Sequence, residues 1–183
     1  MAKIRANEWG LEEHWKHRIS GYMQGTLHPC DALPARNLFV ALANNDVIGF
    51  IAGHLTTRLN CTGELQWINV LENYRGNGIA SALLRLLASW FIENNATKVC
   101  VDPDDTARKF YAKHGASNLN QHWMVWNDVA RILKAEWNLR PIEHCFTYIC
   151  SPHIRVVAQP GSALVWGARG RWFESSLPDE KSI

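Results

Sequence analysis

No apolar run in this 183-residue chain approaches the roughly 20 residues that a bilayer-spanning helix needs. The opening stretch, MAKIRANEWG, also lacks the hydrophobic centre of a secretory signal, so neither a membrane partner nor export is expected. Charge of one sign is equally scarce. A formal net charge of +2 gives no field that would gather nucleic acid or a membrane surface. Cysteine is sparse and unpatterned: the five (Cys30, Cys61, Cys100, Cys145 and Cys150) are odd in number and form no CxxC. That favours reduced thiols in a cytoplasm over a disulfide frame or a zinc ribbon. His14 and His17 lie one helical turn apart and His28 follows, yet no HExxH or cysteine pair accompanies them, so no metal is expected.

What is present suits a soluble α/β protein. The chain is long enough for one domain with an appendage, and 47% hydrophobic residues supply a core. Its nine tryptophans are read as core and pocket walls. Residues 7–23 place Leu11, Trp15, Ile19, Tyr22 and Met23 at helical spacing. Two prolines and a glycine in GTLHPCDALPAR (25–36) predict an irregular loop. NLFVALA and VIGFIAGHL are β-rich runs joined by NND, a hairpin signal, and GELQWINVL reads as the next strand. A helix is predicted over 78–93, with Ile79, Leu83, Leu86, Leu87, Trp90 and Phe91 on its apolar face. TKVCV is a short buried strand. DDTARKFYAKHG is a second amphipathic helix that stops at Gly115, and QHWMVW a final strand, either an apolar edge or internal.

The stretch ENYRGNGIASALL, residues 72–84, sets an arginine and two glycines at the mouth of the 78–93 helix. The first N–H groups of a helix have no internal partner and carry the positive end of its dipole, so they can receive a phosphate. Gly76 and Gly78 let a ligand approach backbone where a Cβ would obstruct it. Arg75 adds fixed positive charge. The loop suits a pyrophosphate, although it is neither a Walker loop nor a GxGxxG fingerprint.

Arg75-Gly76-Asn77-Gly78-Ile79-Ala80 resembles the Arg/Gln-x-x-Gly-x-Gly/Ala motif of the GNAT (GCN5-related) N-acetyltransferases. LQWINVLENYRGNGIASALL is similar to that family's fourth strand, pyrophosphate loop and third helix, and ARKFYAKHGA to its later helix. The resemblance covers about Ile4 to Asp128. It implies the GNAT fold: a mixed, mostly antiparallel twisted sheet with helices on both faces and a splayed central strand pair. It also implies transfer of an acetyl group from acetyl-CoA to an amine by direct attack. The N–H groups of Gly76 to Ala80 would hold the pyrophosphate, and the backbone of Ile68, Asn69 and Val70 would pair with the pantetheine arm.

A backbone N–H there would stabilise the negative charge that develops on the thioester carbonyl oxygen. By the same resemblance Tyr111 is the general acid that protonates the departing thiolate. A primary amine is almost wholly protonated at neutral pH, so a base must take its proton. Glu64 is the first candidate and His54 the second. Trp15, Tyr22 and His28 are candidate acceptor contacts. The family often carries Asn where this chain has Asp104, which accepts but cannot donate when ionised, so the cofactor contact there departs from the pattern. The acceptor is a small-molecule or peptide amine, and a homodimer is compatible. A non-catalytic acyl-CoA-binding protein of the same fold stays open as the alternative.

The domain reading is therefore 1–128 for the acetyltransferase domain, 129–154 for an extension, and 155–183 for a tail of another origin. Residues 155–179 resemble a tRNA gene translated in one frame. RWFES can be written CGG TGG TTC GAG TCC, which contains the GGTTCGA of a T arm. LVWGAR can be written CTC GTT TGG GGT GCG AGG, where CTCG pairs with CGAG around a proline anticodon. Arg-Val as CGG GTA also pairs with Leu-Pro-Asp as CTA CCC G. On this reading the tail's arginines and tryptophans are not an RNA-binding motif. The nucleotide sequence of the gene is expected to spell these arms; codons that cannot pair would end the idea.

Overall fold

The computed structural model describes residues 1–134 and two further two-residue strands, Tyr148–Ile149 and Arg155–Val156. Most of the expected extension (129–154) and of the 155–183 tail, and with them all but the first two residues of the tRNA-gene reading of 155–179, lie outside the described residues. Two helices open the chain, α1 (Ala2–Trp9) and α2 (Glu12–Gln24). Strands β1 (Ala32–Ala43), β2 (Asp46–Thr56) and β3 (Gly63–Val70) follow, then α3 (Ile79–Glu93) and β4 (Val99–Val101). After α4 (Asp105–Lys113) come β5 (Ser117–Asn118), β6 (Met124–Trp126), α5 (Arg131–Lys134), β7 (Tyr148–Ile149) and β8 (Arg155–Val156). The sheet order is β5-β6-β4-β3-β2-β1-β7-β8, mostly antiparallel, with β3 and β4 parallel.

The single helix expected over 7–23 is two. Gly10 and Leu11 both take positive φ (66° and 57°), which no continuous helix accommodates, and Leu11 is thereby turned outward, 75% exposed. The expected loop over 25–36 ends earlier, because β1 already begins at Ala32. Its first pairing, Ala32 opposite Thr56, is separated by a register shift from Arg36 opposite His54, and Pro34 falls inside that irregularity, where no ladder hydrogen bond is demanded of it. Asn44 and Asn45 both have positive φ and close the β1–β2 hairpin, as NND foretells. β5 is too short for a period-2 signal. QHWMVW yields β6, which is internal, paired with β4 on one side and β5 on the other.

Helices cover both faces. On one, Ile4 of α1 and Trp15, Ile19 and Tyr22 of α2 pack on Leu38, Val40, Phe50 and Trp67. On the other, the apolar stripe of α3 packs with Tyr111, Trp126 and Ile132 on the opposite side of the same strands. Leu83, Leu87 and Phe91 are all but fully buried, each stabilising the fold by about 1.5–3 kcal/mol. The packed unit continues past Asp128: Val129 and Ile132 belong to this core, and Arg85 donates to the Leu133 carbonyl at 2.7 Å.

Two features set β3 apart from its neighbours. It pairs with β2 along its whole length, but with β4 only through Gly63–Val99, Glu64–Cys100 and Leu65–Val101. At the point where β4 ends, Gln66 is an extra residue, since Ala52 faces Trp67 while its neighbour Gly53 faces Leu65. Such a bulge bends the strand and re-aims its side chains. Leu65 accordingly packs under α3, whereas Trp67, two residues on, packs under α1 and α2. At the head of the β3–β4 pair, a Cβ on Gly63 would lie 2.5 Å from Phe91 Cε1. Gly63→Ala is therefore expected to destabilise the protein by about 1–3 kcal/mol through overpacking, measured as a lowered urea midpoint at unchanged m.

Candidate active site

Beyond Leu65 the sheet opens into a cleft of about 1550 Å³, floored by β3 and walled by the start of α3 on one side and of α4 on another. Its lining includes Glu64, Ile68, Asn69, Val70, Arg75 to Ala80, Asp104 and Tyr111. The two sequence motifs thus meet in one place. Among the described residues no strand pairs with the Gln66–Val70 edge on the cleft side, and the buried side-chain oxygen of Gln66 has no hydrogen-bond partner.

Gly76 and Gly78 both lie in the left-handed region, at φ 78° and 81°. A Cβ built on Gly76 would meet nothing within 4 Å, so the space beside it is open. Gly78 is the residue before α3, and among the described residues no side chain caps the helix. The first-turn N–H groups consequently keep their capacity to bind an anion. Arg75 does not stand free at the rim: its Nε donates to the Val70 carbonyl at 3.0 Å, and its Nη2 pairs with Glu8 of α1. Glu8 also accepts from Asn69 Nδ2 at 2.9 Å, and Asn69 Oδ1 accepts from Arg5 at 3.0 Å. A polar chain of Arg5, Asn69, Glu8 and Arg75 thereby ties α1 to the loop.

Tyr111 is 3% exposed and sits edge-on to Trp126. Burial raises its phenol pKa well above the ordinary value, the Asp104 charge raises it further, and Arg5 opposes both. The hydroxyl therefore keeps its proton throughout the neutral range. Asp104 is the N-cap of α4, its Oδ1 accepting from Ala107 N at 2.8 Å and from the Thr106 hydroxyl at 2.6 Å. Partial burial pushes its pKa upward, but those hydrogen bonds and Arg5 outweigh it and hold the carboxyl below the usual range.

Glu64 lines the cleft at 4% exposure, and its Oε2 lies 3.3 Å from Arg58 Nε and 3.6 Å from His54 Nε2. His54 is fully buried behind it and meets the Tyr22 hydroxyl through Nδ1 at 3.3 Å. Tyr22, His54, Glu64 and Arg58 thus form a line from under α2 to the cleft. Arg58 is anchored by donating to the Cys30 carbonyl and by lying over Trp123, 5.0 Å from its ring centroid. Of the residues expected to touch an acceptor, none lines the cleft. Trp15 is buried beneath Arg5, Tyr22 is 2% exposed against Trp67, and His28 sits on the outside with Nδ1 2.9 Å from Arg36.

Sequence reasoning did not find Arg5, Glu8, Gln66, Arg58 or the pair Ser81–His114. His114 Nδ1 is 2.8 Å from the Phe110 carbonyl, which can only accept, so the neutral ring has its proton there and takes the Ser81 hydroxyl hydrogen at Nε2, 2.9 Å away. Burial lowers the pKa of His114 and favours that neutral form. The contact joins α4 to the first turn of α3. A one-residue bulge and an isolated arginine carry no periodic signal. For Ser81 and His114 the only hint was their place beside the two motifs.

A sequence model of the Acetyltransferase (GNAT) family matches residues 4–116. Among curated proteins, no relative matches the chain. Several solved structures share its fold. A protein described as a GNAT-family acetyltransferase from Desulfovibrio desulfuricans is 16% identical with a TM-score of 0.57, covering 70% of this chain and 90% of its own. An acetyltransferase structure from Exiguobacterium is 18% identical with a TM-score of 0.51, covering 65% of this chain and 77% of its own. Tetrahymena GCN5 is 14% identical with a TM-score of 0.50, over 68% and 81%. Among the described residues no helix is long and apolar enough to cross a membrane, and no three His, Cys, Asp or Glu side chains gather as a metal site.

Proposed function

We propose that this chain, which belongs to the GNAT acetyltransferase family, moves an acetyl group from acetyl-CoA to an amine by direct attack. The observation that carries this reading is the meeting, in one cleft, of the uncapped start of α3, the unpaired edge of β3 and a buried, protonated Tyr111. The space beside Gly76 and the uncapped N–H groups suit a pyrophosphate, and an open strand edge suits an extended amide-bearing arm. Acetyl-CoA supplies an acetyl group activated as a thioester.

The roles of the chain's own residues follow from their chemistry. The N–H groups of Gly76, Asn77, Gly78, Ile79 and Ala80 hold the pyrophosphate, while Arg75 fixes the loop through Val70 and Glu8. The backbone of Ile68, Asn69 and Val70 orients the arm, and an N–H of this edge faces the developing negative charge. Glu64 takes the proton from the attacking amine. Arg58 lies beside its carboxyl group, and His54 lies behind it as a second proton acceptor. Tyr111 gives its proton to the departing sulfur. Asp104 serves by capping α4, the helix that carries Tyr111.

Thermal unfolding with added acetyl-CoA tests the cofactor first. The midpoint is expected to rise with dose once the ligand passes its dissociation constant, and ATP at equal concentration is expected to leave it in place. No rise at millimolar acetyl-CoA would remove the transferase reading. Tyr111→Phe separates binding from chemistry. It should preserve that rise while lowering kcat by about 10²- to 10⁴-fold for whichever amine is turned over. An unchanged kcat would assign protonation of the thiolate elsewhere.

A further inference from the structure

The α1–α2 side of the cleft carries charge that the transfer reaction does not use. Arg5 of α1 lies over the Trp15 indole, its Cζ 4.2 Å from the ring centroid. Arg18, one turn beyond Trp15 on α2, approaches the same ring with its Cζ at 5.6 Å. Both arginines line the cleft. Two guanidinium groups held around one indole repel each other. Burial lowers the pKa of Arg5, Arg18 lowers it again, and Glu8 and Asp104 only partly offset this.

Little of this positive charge is matched. Glu8, the carboxylate nearest in sequence, directs its two oxygens to Arg75 and Asn69. Arg5 donates through Nη1 to a neutral acceptor, Asn69 Oδ1, and its Nε is buried with no partner. Arg18 makes no hydrogen bond or ion pair among the described residues, is exposed, and lines the cleft. A buried donor without an acceptor is costly, and a guanidinium fork matches a carboxylate or phosphate in shape as well as charge.

We infer that the acceptor is an amine that also carries an anionic group, a carboxylate or a phosphate, and that Arg5 and Arg18 bind this group above Trp15. The inference rests on the transferase reading for the identity of the amine-binding side. The pair is placed to act on an acceptor. Trp15 meets Trp67 edge-on, and Trp67 and Glu64, on the same strand, both line the cleft. An acceptor that spans the two sites has its amine and its anion several bonds apart. Trp9, 55% exposed and 5.6 Å from Arg5, adds an apolar wall at the entrance.

The test uses matched amines on the whole protein: ω-amino acids of increasing length against their carboxamides, and phosphorylated amino alcohols against the parent alcohols. Calorimetric affinity and initial rates are read together. Anionic members are expected to bind at least tenfold more tightly than their neutral partners. Arg18→Gln should remove that preference, raising KM for the anionic amines by about 10- to 100-fold with kcat little changed, and Arg18→Lys should restore part of it. Whether carboxylates or phosphates gain more identifies the anion. Equal binding of charged and neutral partners, no binding of any anionic amine, or a loss of acetyl-CoA affinity in Arg18→Gln would each overturn the proposal. The last would place the pair on the cofactor's side. The thermal shift with acetyl-CoA stands apart from these arms. Arg18-dependent anion binding without that shift would keep the anion site and discard the transferase.

Discussion

Strand β3 is held unequally on its two edges, and the rest of the site depends on that asymmetry. One edge is paired with β2 from end to end; the other is paired for three residues and then abandoned. A sheet that stayed closed would bury backbone polar groups in ladder bonds and leave no cleft. Here the bulge at Gln66 coincides with the end of β4, so the strand turns away just where its partner stops. The same bulge reverses which face each side chain meets. That reversal lets Leu65 pack under α3 and Trp67 under α2, and so joins two cores across one strand.

Around this opening the chain places groups that would be unstable if scattered. Glu64 and His54 are both buried with a charged or polar neighbour within 4 Å, yet Glu64 Oε2 and His54 Nε2 make no hydrogen bond among the described residues. Tyr111 sits in an apolar wall whose burial keeps its proton in place. The uncapped α3 start and the left-handed glycines of the preceding loop leave donors unspent at the opposite end. The Glu64 side chain, a buried phenol and free amides thus share one cavity, and burial sets the state of the phenol.

The periodic parts of the structure were legible in the sequence. The α3 stripe of Ile79, Leu83, Leu87 and Phe91, the Asn44–Asn45 hairpin and the stop at Gly115 follow from local rules that tertiary contacts did not override. The loop around Gly76 and the Tyr111 helix were recognisable as motifs, and the fold brings them together. The acceptor side was not legible. Gly10 and Leu11 lie inside a run with helical spacing, so nothing in the pattern marks the break that detaches α1 and brings Arg5 to the cleft. Trp15 and Tyr22 have the spacing of a buried face and prove to be that, one supporting Arg5 and the other His54. Contacts between residues 60 or more positions apart, such as Glu8 with Asn69 and Arg75, leave no trace in local composition.

Helix α1 fully buries one side chain, Ile4, packs Ala2 and Ala6 at the edge of the same core, and adds polar links from Arg5 and Glu8. Partly exposed ion pairs contribute little and are screened by salt, whereas an apolar stripe like that of α3 is indifferent to it. These two helices, both at the border of the cleft, therefore belong to different thermodynamic regimes. Raising the ionic strength loosens α1 while leaving α3 seated, so the amide hydrogens of residues 2–9 would exchange with solvent through a local, salt-tuned opening that the rest of the molecule does not share.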